Sequence, residues 1–161
     1  MQALMMDTPL MISSILKHAE RNFPEVEMVS VTVDQPRHRQ NNKIFASRCR
    51  KLAKALESLG AEFGDRIGTL AWNDFRHMEL YYAVSVAGMV CHTINPKLFP
   101  EQVAYIINHA DDKILFVDVL VVPLLEALQE HIKKVDCIVV LTDKAHMPDS
   151  CLENLVCYEE L

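Results

Sequence analysis

Arg66-Ile67-Gly68-Thr69-Leu70-Ala71, Met89-Val90-Cys91-His92-Thr93-Ile94, Ile114-Leu115-Phe116-Val117 and Cys137-Ile138-Val139-Val140-Leu141 are four short apolar runs. The segments between them have helical periodicity. Asn73 or Asp74 caps a helix that carries Phe75, Met78, Tyr81, Tyr82 and Val84 as far as Gly88. Pro100-Glu101 opens another helix with Val103, Ile106, Ile107 and Ala110 inward, and Pro123 to His131 forms a third. Strands apolar throughout are covered on both faces, and strand–helix alternation of this kind implies a parallel sheet with right-handed crossovers. The fold class is therefore α/β, with a mostly parallel sheet.

Upstream, Phe45, Cys49, Leu52, Leu56 and Leu59 recur at steps of three and four, which predicts a helix over 43–59. Asn42 is its predicted cap and Gly60 its end. Pro9 to Phe23 also has helical spacing, with Thr8-Pro9 as its start. Met28 to Val33 alternates and is rich in β-branched residues, so it reads as a strand. Asp34 to Asn42 is polar with a proline and reads as a loop. After Thr142 the pattern dissolves into a polar tail, with one helical turn predicted at 158–161. The chain thus divides into an N-terminal helix and strand over 9–34, an α/β core over 43–141 and a polar tail over 142–161.

The net charge of −6 over 161 residues argues against non-specific nucleic-acid binding, because a phosphate backbone wants a basic face. The basic stretch from Arg37 to Lys54 reads as a solvated face. No apolar run approaches the roughly 18 residues of a membrane span. Met1 to Asp7 lacks the pattern of a signal peptide. The five cysteines form no Cys-x-x-Cys pair, so reduced cytoplasmic thiols are expected. Cys91 and Cys137 read as core residues. The histidines show no metal-ligand spacing, and no metal site is predicted. His92 reads as a hydrogen-bonded core histidine, and Arg76 with Glu79 as a surface pair. Phe75, Met78, Tyr81 and Tyr82 read as core, and Asp111-Asp112 as a helix-to-strand turn.

Arg50-Lys51-Leu52-Ala53-Lys54-Ala55-Leu56, Leu59-Gly60 and Gly64-Asp65-Arg66-Ile67 resemble the opening of the adenylate-forming, AMP-binding superfamily. Ala71-Trp72-Asn73, Arg76-His77-Met78-Glu79, Tyr81-Tyr82-Ala83-Val84, Gly88 to Leu98 and Tyr105 to Ala110 are similar to its medium- and long-chain fatty-acyl-CoA synthetase branch. The likeness runs from Leu10 to Leu161. It departs at Asn42, where Tyr or Trp is usual, at Ile44 for Glu, at Val86 for Gly, and at Lys97 for Arg. The last keeps the charge but loses the bidentate fork.

The resemblance implies a two-step ligase that uses ATP, magnesium and coenzyme A on a fatty-acid-type substrate. It also implies a phosphate-binding loop rich in Ser, Thr and Gly. Among the 161 residues the only glycines are Gly60, Gly64, Gly68 and Gly88, no two adjacent, so no such loop is present. The expectation is therefore a partial N-terminal domain over 1–161, inactive alone, with no catalytic residue. The resemblance carries over one binding feature, the loop Asn95-Pro96-Lys97, which in related synthetases approaches the nucleotide part of coenzyme A. The competing expectation is a non-catalytic assembly module that contacts a second copy or the remainder of an enzyme. A free-standing nucleotide-binding domain is the weakest reading, because no Gly-rich turn follows any predicted strand.

Overall fold

The computed structural model describes residues 7–161. The signal-peptide reading falls on residues 1–7 and so lies mostly outside the described residues.

Five parallel strands form the central sheet: β3 (Arg66–Leu70), β4 (Val90–Thr93), β5 (Ile114–Val117), β6 (Cys137–Val140) and β7 (Leu155–Cys157), in the order β4-β3-β5-β6-β7. The helices are α1 (Ile12–Asn22), α2 (Asn42–Ser58), α3 (Phe75–Val86), α4 (Pro100–Ala110) and α5 (Val122–Leu128). Strand alternation sorts the core onto two faces. Ile114 and Phe116 join a cluster with Leu52 and Leu56 of α2 and Leu80 and Val84 of α3. Leu115 and Val117 join a second cluster with Val103 and Ile107 of α4 and Leu125 of α5. A sheet covered on both faces needs apolar residues at every position of its inner strands, which is how β5 and β6 read.

The parallel α/β expectation holds, with corrections at its margins. The 142–161 tail carries β7, which adds a fifth strand beside β6, and the predicted final turn is a 3₁₀ turn at Tyr158–Glu160. The 34–42 loop contains β2 (His38–Asn41), paired antiparallel with β1 (Glu27–Ser30). β2 is polar throughout, with only Gln40 buried, so it has no apolar alternation to detect, and β1 ends at Ser30, short of the predicted Val33. The cap of α2 is Asn41, whose Oδ1 accepts the Ile44 N–H at 2.9 Å, while Asn42 donates to the Phe23 carbonyl at 2.8 Å. Helix α1 begins at Ile12 behind Met11 and not at Thr8-Pro9.

Strand β4 is an edge strand and not a buried one: Val90 and Thr93 are exposed, and Cys91 is only partly covered. His92 is likewise half-buried, and its Nδ1 lies 2.8 Å from Asp112 Oδ2. Gly68, between them on β3, makes this possible: a Cβ there would come within 3.1 Å of the Asp112 carboxyl and would overlap Leu115.

Candidate functional site

The strand order sets where a site belongs. The chain passes from β3 outward to β4, then returns across β3 to β5. Adjacent loops therefore diverge between β3 and β5, and in open α/β sheets the crevice at the carboxyl ends of such strands is the usual ligand position.

From β3 the chain runs through Trp72 and Asn73 to Asp74, whose Oδ1 accepts the His77 N–H at 2.8 Å and caps α3. From β5 it enters Asp118, whose Oδ1 accepts the Leu120 N–H at 3.2 Å. Burial pushes the Asp74 and Asp118 carboxyls up from their ordinary values. His77 is buried between the Trp72 carbonyl at 3.1 Å and Thr69 Oγ1 at 3.0 Å, and burial lowers its pKa. The neutral imidazole thus fixes the backbone of Trp72. It does not face Glu79, so there is no His–Glu dyad.

From β4 the chain enters the Asn95-Pro96-Lys97 loop. Ile94 N–H donates to the Thr69 carbonyl at 2.8 Å, and Asn95 Oδ1 accepts the Lys97 N–H at 2.9 Å, closing a turn stiffened by Pro96. The loop ends where Phe99 N–H donates to Gln102 Oε1 at 3.2 Å and Pro100 starts α4. Asn95 and Lys97 are exposed and Pro96 is half-buried. Lys97 Nζ stands 5.8 Å from the centroid of the Trp72 ring. The structure therefore brings the predicted loop beside Trp72, a residue that sequence reasoning does not single out.

Behind this edge lies an ion cluster that sequence reasoning missed. Arg76 and Glu79 are fully buried and do not pair with each other. Arg76 donates to Asp34 Oδ1 at 3.0 Å, Glu159 Oε1 at 2.8 Å and the Leu141 carbonyl at 3.1 Å. Glu79 accepts from Arg48 at 2.7 Å and from the Tyr158 hydroxyl at 2.6 Å. The available signal is spacing: Arg76 and Glu79 share the inward face of α3 with Leu80, Ala83 and Val84.

Two further features have the outline of a site. Met78 and Tyr81 are exposed and not core. With Met28, Val29, Gln40 and Phe75 they line an open groove of about 520 Å³. Asp34, Asp143 and His146 converge within 4.8 Å. Asp34 is already bonded by Arg76, Thr32 and Thr142, and Asp143 accepts two backbone N–H groups, so both carboxylates are committed within the protein.

A parallel sheet covered on both faces, with loops that diverge at the carboxyl ends of β3 and β5, defines a doubly wound α/β domain. More particularly, the chain belongs to the AMP-binding enzyme family, which matches residues 16–159. It is 46% identical over 157 residues to the 3-methylmercaptopropionyl-CoA ligase of Ruegeria lacuscaerulensis, covering 98% of this chain and 29% of that protein. It is 42% identical over 157 residues to the medium-chain-fatty-acid–CoA ligase of Ectopseudomonas oleovorans, with coverage of 98% and 29%. The structure of coronafacic acid ligase from Pectobacterium brasiliense superposes with a TM-score of 0.75 at 18% identity, over 94% of this chain and 29% of that one, which bears on the fold alone. The chain thus spans less than a third of the length of the curated relatives it matches.

Proposed function

We propose that this chain is the first part of an ATP-dependent acid–thiol ligase acting on a fatty-acid-type carboxylate. The observation that carries the reading is the 46% identity to a CoA ligase across nearly the whole chain. In the complete enzyme a carboxylate oxygen attacks the α-phosphate of ATP, releasing pyrophosphate, with magnesium offsetting the phosphate charge. The coenzyme A thiol then displaces AMP and forms the thioester. The contribution of this segment is a scaffold whose Asn95-Pro96-Lys97 loop meets the nucleotide part of coenzyme A, with the cytoplasm as the setting. Among the described residues no helix is long and apolar enough to cross a membrane.

Activation of a carboxylate needs clustered backbone amides around the triphosphate, and these 161 residues have no Gly-rich loop to supply them. The isolated chain is therefore expected to show no acid-dependent ATP–pyrophosphate exchange, and robust exchange overturns that statement. The ligase reading itself is tested by a chimera in which this chain replaces the matching segment of the Ectopseudomonas oleovorans ligase. Retained thioester formation supports it. A folded chimera without activity counts against it.

A second reading, an assembly surface for another copy or for the rest of an enzyme, is favoured by one observation. Leu10, Met11, Ile12 and Ile15 around α1 and Val29, Val31 and Val33 beyond it are all exposed, Leu10 at 92%. Exposed apolar side chains gathered in two short segments are what an interaction face supplies. Light scattering that finds a stable monomer at high concentration removes this reading.

A further inference from the structure

We infer that α1 and the adjoining stripe of α2 form a docking surface for an anionic lipid bilayer. The apolar side of α1 enters the headgroup region, and the lysines and arginines around it meet lipid phosphates. The inference stands apart from the ligase reading, and it gives the exposed side chains of α1 an occupant other than a second copy of the chain.

Charge is shared unevenly along the chain. Residues 1–54 carry nine Lys and Arg against five Asp and Glu, whereas residues 55–161 carry seven against seventeen. In the first segment Glu20, Glu27 and Asp34 are each paired with an arginine. Lys17 and Arg21 of α1 and Lys43, Lys51 and Lys54 of α2 are exposed and, among the described residues, form no ion pair. Lys43, Arg50 and Lys54 fall at steps of seven and four, on one stripe of α2. Arg50 bonds both carboxylate oxygens of Glu20 at 2.7 and 2.8 Å, which sets that stripe beside α1. Helical spacing puts Ile12, Ile15, Leu16 and Ala19 on one side of α1 and Ser14, Lys17 and Arg21 on the other. Of the apolar side only Leu16 is buried. Ile12 and Ile15 are 49% and 56% exposed, and Leu10 and Met11 before them are exposed too. An amphipathic helix with a basic polar face is the form that lies in a bilayer interface, and nearby cations add attraction to anionic headgroups. Cations alone suit any polyanion. The open apolar side of α1 beside them selects a bilayer, which offers phosphate and hydrocarbon together.

The 161-residue chain is floated with vesicles of equal parts phosphatidylglycerol and phosphatidylcholine, and with vesicles of phosphatidylcholine alone, at low and high salt. Binding is expected to the first kind only, and high salt is expected to release it. Lys43→Gln weakens it about fivefold, and Lys51→Gln with Lys54→Gln roughly twentyfold. Ile15→Gln weakens it about tenfold. Lys133→Gln, outside this surface, leaves it unchanged. All these side chains are exposed, so the urea midpoints of the variants should match that of the parent. Equal binding to both kinds of vesicle removes the role of charge, and binding to neither removes the surface; each overturns the inference. So does Lys133→Gln weakening binding as much as Lys43→Gln, which assigns the effect to net charge. A dimer in light scattering that Ile15→Gln dissolves, with no vesicle binding, assigns the face to a second copy. The folded chimera with the Ectopseudomonas oleovorans ligase is floated in the same way. If the isolated chain binds and the chimera does not, the remainder of the enzyme covers the face and the inference falls, whatever thioester activity the chimera retains.

Discussion

Arg76 and Glu159 stand 83 residues apart in the chain, yet Arg76 Nε lies 2.8 Å from Glu159 Oε1. The contact ties α3 to the 3₁₀ turn that follows β7 and so fastens the last strand to the sheet. Arg76 is fully buried, and its charge is tolerable only because Asp34 and Glu159 match it. Removing the cation by Arg76→Ala leaves the Asp34 carboxylate, 3% exposed, without its partner. The expected cost is about 3–5 kcal/mol, read as a lower urea midpoint. Glu159→Gln keeps a hydrogen-bond acceptor on a partly exposed side chain and costs about 1 kcal/mol. Equal midpoints for the two variants would refute this ranking.

Asp34 makes the same cluster sensitive to acid. Burial pushes its carboxyl up, but hydrogen bonds from Arg76 and Thr32 outweigh burial and hold it down to about 2. A carboxyl depressed in the folded state contributes stability that is fully present above its unfolded value, about pH 4, and is lost as pH falls toward 2. The contribution is roughly 2 kcal/mol. Urea midpoints between pH 2 and pH 6 should fall through this window, and Asp34→Asn should flatten the slope there. An unchanged slope in that variant would assign the acid sensitivity to other carboxylates.

Gly68 and Gly60 separate two uses of glycine. Gly68 is an inner-strand residue, and a methyl there overlaps Leu115 Cδ2 and crowds the Asp112 carboxyl. Gly68→Ala should therefore cost about 1–3 kcal/mol by overpacking, and Leu115→Val in the same chain should recover part of it. Gly60 sits at φ +85°, and a methyl added there would meet nothing within 4 Å, so Gly60→Ala incurs backbone strain alone, about 1 kcal/mol. No recovery with Leu115→Val would show that the cost at position 68 has another source.

The thiols divide by burial. Burial pushes Cys49 up to about 12 and Cys91 up to about 11, and it also raises Cys137 and Cys157. Cys151 is exposed, and all five are free. Reaction with a chromogenic disulfide at pH 8 should show one fast thiol, which Cys151→Ser abolishes, a slow one at partly covered Cys91, and three that react only on unfolding. Two fast phases in the folded protein would contradict the burial assigned to the others.

Several elements are legible in the sequence because their cause is local. β5 reads with its observed bounds, Ile114–Val117, since both faces of an inner strand are apolar. Local residue types narrow the cap of α3 to Asn73 or Asp74, and Asp74 fills it. The Asn95-Pro96-Lys97 loop is legible too, but its neighbour Trp72 is not, because the two lie after different strands that become adjacent only in the sheet.

The linear order of apolar runs and turn residues was enough to determine a parallel α/β sheet, since helix and strand periodicities are properties of neighbours in the chain, while the family was legible only through the resemblance of its ordered motifs. Tertiary structure alone decided that Arg76 and Glu79 are buried, that Leu155-Val156-Cys157 is a strand and that β4 is an edge. A charge can be buried only if distant segments bring it partners, and a three-residue strand forms only if a neighbour offers its backbone groups. Both conditions are met by packing across the fold; spacing places Arg76 and Glu79 on the inward face of α3 but does not show the partners that meet them there.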